Sequence, residues 1–313
     1  MIEVSNLTRY YGDFPAIENI SFSVKKGEII GLLGLNGAGK STTLKVLAGV
    51  LAPSSGSVQI AGVDIAQAPA SFRGTIGFLP EDPPQYRDMS VRDFLSYVGS
   101  LQGMSPSLIA TRLPEVIEIA QLQGREDQII ETLSFGFRKR VGIAQTIIHN
   151  PQLIILDEPA SGLDPAQIAL ARDIIRNLGR EGAVLISSHI LSEISQTCDR
   201  ILVLHQGRLI AEGTEEQLAK RAMTSVRLII TVRGESSAFM KFLAAHTGVK
   251  STKGQECSAP FSAALVELEG DAREALAVDL IAAGFGLRTI EAPQDELEEI
   301  FLGLTQQQQE VSA

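Results

Sequence analysis

The feature that most constrains this chain is a glycine-rich loop between a short apolar run and a predicted helix. The segment Gly34-Leu-Asn-Gly-Ala-Gly-Lys40-Ser41 fits the pattern G-x-x-x-x-G-K-[ST], after the apolar run Ile29–Leu33 and before the helical stretch Ser41–Gly49. The glycines let backbone N–H groups curve around phosphate oxygens, and the helix N-terminus adds a positive dipole. The alternative is a glycine-rich turn that only caps a helix. The order strand, loop, helix favours a phosphate-binding loop (P-loop).

Lys40 and Ser41 are the residue types that bind the β- and γ-phosphates of a nucleoside triphosphate and its metal. The ammonium can reach the two phosphates and the hydroxyl can bind Mg²⁺. A second apolar run, Leu153–Leu156, ends in Asp157 and Glu158. Asp157 suits Mg²⁺ binding, directly or through water, and Glu158 is placed to polarise an attacking water as a general base. Alone, such a strand is as often structural as functional, but after a P-loop it indicates a catalytic pair.

Two further segments are ambiguous when each is considered alone. Ser134, in Leu133–Phe137, precedes a predicted helix over Arg138–His149, and serine at a helix start is usually an N-cap unless a phosphate comes near. His189 follows the apolar run Ala183–Ile186, where a lone histidine is more often structural than catalytic.

Apolar runs and helical stretches alternate through about the first 220 residues, which predicts a parallel sheet with helices between its strands. Further helices are predicted over Ala166–Leu178 and His189–Thr197. Val91–Gln102 and Ser107–Leu122 read as purely helical, and we expect them to form a separate α-helical subdomain.

The pattern restarts near residues 220–223, and seven basic and thirteen acidic residues follow Met223. We therefore expect domains at residues 1–222 and 223–305, with a disordered tail over 306–313. The order β-α-β-β-α-β plus a closing helix predicts a ferredoxin-like α+β domain. Its predicted elements are strands Val226–Val232, Val249–Thr252, Ala263–Leu268 and Leu287–Ile290, and helices Ala238–His246, Ala272–Ala283 and Glu296–Leu304.

Composition excludes several classes of function. The net charge of −10 argues against nucleic acid as a partner, because such binding needs clustered Lys and Arg. No apolar run approaches the roughly 18–20 residues that cross a bilayer, and the N-terminus has no signal-peptide pattern. Cys198 and Cys257 lack a metal-ligand spacing, which indicates a reduced compartment, and Cys257 is expected to be at least half-buried.

Taken together, the motifs resemble the nucleotide-binding subunit of ATP-binding cassette (ABC) transporters, in order and spacing, across about residues 1–220. The resemblance implies an α/β P-loop NTPase cassette with a RecA-like core, an α-helical subdomain and an antiparallel β subdomain. It also implies ATP as the nucleotide, Glu158 as the catalytic base, His189 as the switch histidine and Lys40 as a catalytic cation. Nucleotide contacts would fall on Tyr11, Gly34, Asn36, Gly37, Ala38, Gly39, Lys40, Ser41, Thr42, Ser134, Gly136 and Asp164. Mg²⁺ would be bound by Ser41, Asp157 and Glu81.

The resemblance supplies a mechanism as well. Tyr11 would stack on adenine, and Ser134 and Gly136 would close over the ATP bound to a second copy or a related subunit, with Asp164 in the D-loop. Hydrolysis would drive a conformational change in a separate transmembrane permease. This chain would be a peripheral protein at the cytoplasmic face of the inner membrane.

The chain departs from the family pattern in two places. The signature reads LSFGF where the family usually has LSGGQ, so that Phe135 replaces a glycine and Phe137 the glutamine. Glu81 stands where the family's Q-loop glutamine usually lies, and a carboxylate there is a harder, charged ligand for Mg²⁺. The segment 80–84 is expected to be a stiff exposed loop that meets the permease. This loop and the appended domain resemble cassettes that serve ABC-2-type exporters.

Two alternatives remain at this point. A cassette ATPase that acts on ribosomes or DNA usually has two cassettes, a long coiled coil or basic patches, and the sequence has none of these. A nucleotide-binding regulator without turnover is disfavoured by Lys40, Asp157, Glu158 and His189 all being present.

Overall fold

The computed structural model describes residues 2–67, 70–180, 182–222, 226–255, 257, 259–270 and 272–291. The chain forms two compact units, the first up to Glu215 and the second from Glu216 onwards. The predicted closing helix Glu296–Leu304 and the tail 306–313 lie outside the described residues.

The first unit contains two sheets and most of the helices. Its strands are β1 (Ile2–Tyr11), β2 (Phe14–Val24), β3 (Ile29–Leu33), β4 (Ser55–Ile60), β5 (Val63–Asp64), β6 (Ile76–Leu79), β7 (Leu153–Leu156), β8 (Ala183–Ser188), β9 (Arg200–His205) and β10 (Arg208–Gly213). Its helices are α1 (Lys40–Leu47), α2 (Val91–Leu101), α3 (Pro106–Ile119), α4 (Phe135–Ile147), α5 (Pro165–Gly179) and α6 (Leu191–Ser195). A further helix, α7 (Glu215–Ala222), begins at Glu215, the last residue of the first unit.

The central sheet has the order β10-β9-β3-β8-β7-β6, and all neighbouring strands pair in parallel except β10 with β9. Every residue of β3, β7 and β8 is buried, as expected for parallel strands covered on both faces. Because the strands are parallel, the residues after β3, β6, β7 and β8 meet at one edge of the sheet.

The second sheet is antiparallel, with the order β2-β1-β4-β5, while α2, α3 and α4 pack against one another as a helical group. One buried cluster joins Val4 and Ile20 of the antiparallel sheet to Leu44 of α1 and Leu202 of β9. The first unit therefore has the three parts expected of the cassette.

The second unit is an antiparallel sheet with two helices. Its elements are β11 (Val226–Arg233), α8 (Ser236–Ala245), β12 (Val249–Gln255), β13 (Phe261–Leu268), α9 (Arg273–Ala282) and β14 (Gly286–Glu291). The sheet order β12-β13-β11-β14, with β-α-β-β-α-β along the chain, is that of a ferredoxin-like fold. Phe239 and Leu243 of α8 and Leu276 and Leu280 of α9 share a buried core with Ile230 of β11.

Several bounds differ from the sequence predictions; α4, for example, is Phe135–Ile147 and was predicted over Arg138–His149. Helix α3 ends at Ile119 rather than Leu122, and Gln121 has a left-handed φ of 52° that no helix accommodates. Helix α6 begins only at Leu191, because Ile190 is extended, so His189 lies in the turn before it. Cys257 is exposed, and the expectation that it is buried is wrong, because it lies between β12 and β13 and outside both strands. Within the described ranges, no helix combines the length and apolarity that a bilayer crossing requires.

Candidate active site

The P-loop runs from the buried strand β3 into α1 and is shaped by its glycines. Gly37 and Gly39 have φ values of 82° and 102°, a region that side chains rarely adopt. A Cβ on Gly39 would lie 2.6 Å from the carbonyl oxygen of Ala16, and one on Gly34 would lie 2.7 Å from that of Leu204. The loop backbone therefore has this shape only with glycine at these positions.

Lys40 is the first residue of α1 and its side chain is buried. Its Nζ donates to the carbonyl oxygen of Gly34 at 2.7 Å and lies 3.3 Å from Oε1 of Glu158. A buried ammonium beside the N-terminus of a helix is a strong site for an anion.

Behind this loop, Asp157 lies at the end of β7 and connects to two serines. Ser41 Oγ donates to Asp157 Oδ1 at 3.2 Å, and Ser187 Oγ donates to the same oxygen at 2.7 Å. The backbone N–H of Glu158 donates to Ser187 Oγ at 2.9 Å. The arrangement fixes a buried carboxylate next to a hydroxyl, and both are hard oxygen ligands.

The oxygen ligands of this region fit Mg²⁺ better than a softer metal. In the part of the chain that the structure describes, no group of three or more His, Cys, Asp or Glu side chains is placed to bind a metal alone. Mg²⁺ characteristically takes one or two protein oxygens and completes its shell with water and phosphate. Ser41 and Asp157 offer that kind of partial site.

The Glu158 carboxylate lies between two nitrogen groups. Nδ1 of His189 lies 2.9 Å from Oε2, and Lys40 approaches the other oxygen. Glu158 itself has a left-handed φ of 48°, which is costly for a residue other than glycine and clusters at functional sites. The carboxylate is buried, whereas the His189 ring is 43% exposed at the cleft.

These groups open onto one cleft of about 420 Å³, a size typical of small-ligand sites. Predicted residues that line it are Tyr11, Asn36, Gly37, Gly39, Lys40, Ser41, Thr42, Glu81, Glu158 and His189. Phe14, Ala16, Leu35 and Ser161 also line it and were not predicted. Gly34, Ala38 and Asp157 do not line the cleft themselves; Gly34 and Ala38 belong to the P-loop, and Asp157 accepts a hydrogen bond from Ser41, which does line it.

Two exposed aromatic rings form the rim of the cleft. Tyr11 is half-exposed at the end of β1, with the Arg9 guanidinium 5.3 Å from its ring centroid, and Phe14 begins β2 and is 65% exposed. Exposed rings beside a phosphate-binding loop offer flat faces on which a nucleobase can stack.

Three predicted residues lie outside this cleft, at the starts of two helices. Ser134 caps α4 by accepting a hydrogen bond from the N–H of Phe137, and Asp164 caps α5 by accepting from that of Gln167. A Cβ on Gly136 would lie 2.7 Å from Oε1 of Gln167, so the two helix starts are packed together. The usual N-cap role of Ser134 and Asp164 is thus present, and their Oγ and carboxylate lie at positive helix ends.

Glu81 lies in the loop after β6 and its side chain is exposed to the cleft. Its carbonyl oxygen accepts a hydrogen bond of 2.7 Å from Nζ of Lys139, a buried residue of α4. Burial lowers the pKa of Lys139, and the carboxylates of Asp82 and Glu81 oppose that change.

Sequence reasoning missed Ser187 and Lys139. Ser187 had only an indirect signal: it follows the apolar run Ala183–Ile186, but its contact with Asp157 depends on β8 lying beside β7 in the sheet. Lys139 had none, since a lysine on a helix is normally solvated.

Known proteins resemble this chain over most of its length. The family model for the ABC transporter matches residues 17–161. The linearmycin resistance ATP-binding protein LnrL of Bacillus subtilis (strain 168) is 31% identical over 306 residues, which cover 97% of this chain and 98% of that protein. The Nod factor export ATP-binding protein I of Rhizobium meliloti (strain 1021) is 33% identical over 308 residues, covering 97% and 88%.

Solved structures resemble a smaller part of the chain. An ATP-binding subunit of an ABC transporter matches with a TM-score of 0.64 and 32% identity, over 71% of this chain and 92% of that one. CbiO1 of Clostridium perfringens, part of the ABC transporter complex CbiONQ, matches with a TM-score of 0.64 and 28% identity, over 71% and 93%.

Proposed function

The chain belongs to the ABC transporter family as its ATP-hydrolysing subunit, and we propose that the cleft at the P-loop is where it binds and cleaves ATP. Subunits of this family dimerise and work with a separate transmembrane permease. The single observation that carries the proposal is the buried Glu158 carboxylate between Lys40 and His189, at the mouth of the P-loop.

In this proposal the phosphates lie on the backbone N–H groups of residues 34–42, and adenine stacks on Tyr11. Lys40 leaves the carbonyl of Gly34 to contact the β- and γ-phosphates, because a charge-assisted bond to phosphate is stronger than a bond to a neutral carbonyl. Ser41, Asp157 and Glu81 would hold Mg²⁺, which when bound would neutralise charge on the phosphates.

Glu158 is the proposed general base. Its carboxylate orients a water for attack on the γ-phosphorus and takes the water's proton, while the bond from phosphorus to the ADP oxygen breaks. His189 fixes the Glu158 carboxylate through the 2.9 Å contact and sits at the exposed side of the cleft, where the γ-phosphate would lie. Lys40 stabilises the negative charge that is transferred to the leaving oxygen.

The complete site takes two chains. Ser134, Gly136 and Asp164 lie at helix starts outside the cleft of their own chain, as expected of groups that act on the nucleotide of a partner. A phosphate over Ser134 would meet the N–H groups at the start of α4.

The permease is proposed to dock in a groove of about 300 Å³ between the loop after β6, α2 and α4. Tyr86 and Tyr97 form an exposed edge-to-face pair there, with centroids 5.4 Å apart, and Leu101 is 67% exposed beside them. Exposed aromatic and aliphatic side chains that share one groove characterise protein interfaces.

Two polar groups of the groove indicate what the permease segment offers. Within the described ranges, Gln145 Oε1 and His149 Nδ1 are buried atoms without a hydrogen-bond partner. Burial lowers the pKa of His149, so its ring is neutral at pH 7, and the contact of Nε2 with the carbonyl of Ile76 makes Nδ1 an acceptor. Both atoms therefore accept hydrogen bonds, and the docking segment is proposed to supply N–H or O–H donors.

Location, domain roles and direction of transport are also proposed. The chain is proposed to lie at the cytoplasmic face of the inner membrane, bound through its permease, with residues 223–305 as an accessory domain. Export is proposed as the direction, because the Rhizobium relative is an export subunit and the Bacillus relative confers resistance.

Two variants test the function. Glu158→Gln is expected to lower ATP turnover by about 10²-fold or more while ATP binding is retained, because only the base is lost. Lys40→Ala is expected to weaken ATP binding itself by about ten-fold or more. Phosphate release and equilibrium binding of a fluorescent ATP analogue measure the two effects. A Glu158→Gln protein with wild-type turnover would overturn the assignment of the base.

A third variant tests the metal site. Glu81→Gln is expected to raise the Mg²⁺ concentration at half-maximal turnover, and an unchanged value would remove Glu81 from the metal site.

A further inference from the structure

Helix α4 carries a buried lysine directed at the loop after β6. Lys139 is 7% exposed, and its Nζ donates to the carbonyl oxygen of Glu81 at 2.7 Å. Lysine is almost never buried in proteins unless it is paired, so the burial of Lys139 indicates that its contact with Glu81 has a specific role. The backbone of Glu81 is held by a charged donor on α4.

Two more contacts attach the same loop to the same helix. Gln85 Nε2 donates to the carbonyl oxygen of Arg138 at 2.8 Å. A Cβ built on Gly142 would lie 3.2 Å from the ring of Pro83, so this loop lies directly on the helix backbone. If α4 moves, the loop that carries Glu81 therefore has to move with it or lose several contacts.

The surroundings of the ammonium are acidic and aromatic. Four carboxylates attract the Lys139 ammonium electrostatically: those of Glu81 and Asp82, in the loop after β6, and those of Asp157 and Glu158, after β7. The ring centroid of Phe135, one helical turn earlier on α4, lies 5.6 Å from Nζ, within cation–π range. Lys139 thus brings a positive charge to the side of the cleft that holds the catalytic carboxylates.

The N-terminus of α4, five residues before Lys139, is the part that the proposed function assigns to the partner's nucleotide. Ser134 caps the helix, and the ring of Phe135 would lie 3.1 Å from a Cβ on Gly162, in the turn that leads to Asp164. The first turns of one helix therefore connect Glu81, at the chain's own cleft, with Ser134, which the proposed function places at the second ATP.

We propose that Lys139 is a positioning residue that couples the two ATP sites of the dimer, by holding the Glu81 loop on α4 so that occupancy of the chain's own cleft sets the position of Ser134. The proposal rests on the proposed function, since it uses the roles given there to Glu81 and Ser134. The charged donor makes the link stronger than a neutral one, because hydrogen bonds with one ionised partner are about twice as strong as neutral ones.

The test uses the full chain with Glu158→Gln as the parent, so that bound ATP is not turned over. ATP-driven association of two chains is measured by analytical ultracentrifugation, and ATP binding by single chains is measured with a fluorescent analogue at high dilution. Lys139→Met is expected to weaken association by about ten-fold, in the range of typical site-to-site coupling, while binding to single chains changes by less than about two-fold. Lys139→Arg is expected to restore association, and Lys241→Met, at an exposed lysine of α8, to leave it unchanged.

Each result decides the proposal. Association of the Lys139→Met protein equal to that of the parent overturns it, and so does an equal loss of association and of ATP binding by single chains, which would place Lys139 in the cleft alone. If Lys139→Met does not fold, Lys139→Gln is judged by the same two measurements. A parent that binds no ATP contradicts the proposed function instead, and that failure is visible before any Lys139 variant is compared.

Discussion

The imidazole Nδ1 of His189 lies 2.9 Å from the carboxylate Oε2 of Glu158. Oε1 of Glu158 lies 3.3 Å from Nζ of Lys40, so each carboxylate oxygen has a nitrogen partner, and Glu158 has a left-handed φ of 48°, which carries a conformational cost. The histidine belongs to a different strand end from the glutamate, so the pair depends on the parallel alignment of β7 with β8.

Replacing His189 tests whether this contact matters for turnover. His189→Ala is expected to lower ATP turnover by about 10²-fold, the lower end of what general acid–base catalysis contributes, because Glu158 loses the partner that orients it. ATP binding is expected to change less, since most of the proposed phosphate contacts come from the P-loop backbone and Lys40. Phosphate release and nucleotide binding measure the two quantities. Wild-type turnover in the variant would mean that the contact is structural.

Gly162 offers a test of how the D-loop turn is held. Its φ is 77°, and a Cβ there would lie 3.1 Å from the Phe135 ring, so Gly162→Ala combines backbone strain with a tight contact. We expect it to lower the free energy of unfolding by about 1–2 kcal/mol. Gly124→Ala is the matched control, because Gly124 has a φ of 74° with nothing within 4 Å of the added Cβ.

The comparison of these two glycines separates strain from contact in thermal unfolding. The Gly162 variant should be the less stable of the two, and the cost of Gly162→Ala should fall to that of Gly124→Ala when it is measured in a Phe135→Ala background. Equal stabilities of the single variants would show that the Phe135 contact costs nothing.

The strands that lead to the cleft could be predicted because they begin as short apolar runs that are buried on both faces. The bounds of β3 and β7 agree with the runs Ile29–Leu33 and Leu153–Leu156, since residues buried on both faces have no polar alternation to blur their ends. The P-loop could be placed from its glycine spacing together with Lys40, Ser41 and the apolar run and helix on either side. These features are local in the sequence.

What could not be predicted depends on distant parts of the chain. Ser187 becomes important only because β8 lies beside β7, and Lys139 only because α4 lies beside the loop of Glu81. Pairings of this kind are long-range, and no single sequence window contains them.

Glu28 links the start of β3 to β9 and gives a pH-dependent stability. It accepts from Arg200 Nε at 2.8 Å and from the N–H of Lys25 at 2.8 Å. Burial alone would raise the pKa of Glu28, but the bond from Arg200 and that from Lys25 outweigh it, so the pKa lies below its ordinary 4.5. The native state therefore releases this proton more readily than the unfolded chain does.

The sign of the effect follows from that difference. The contribution of Glu28 is fully present above pH 4.5 and is lost as the pH falls through the lower native pKa. Glu28→Gln is expected to cost about 1–2 kcal/mol at pH 7, and less as the pH is lowered below 4.5, because the wild-type carboxyl then becomes neutral as well. Thermal unfolding across this range measures it, with Glu3→Gln, at an exposed position of β1, as the control. A pH-independent difference would contradict the assignment.

The groove beside Tyr97 gives a test of the permease contact that does not involve ATP chemistry. Leu101→Asp places a charge at an exposed position of the groove and is expected to weaken binding to the co-expressed permease by about ten-fold or more, because an unpaired carboxylate would be desolvated at the interface. Leu108→Asp is the matched control, since Leu108 is 53% exposed on α3 and does not line the groove. Both variants should fold and hydrolyse ATP alone as the wild type does. Co-purification with the tagged permease measures binding, and an equal loss in both variants would place the docking surface elsewhere.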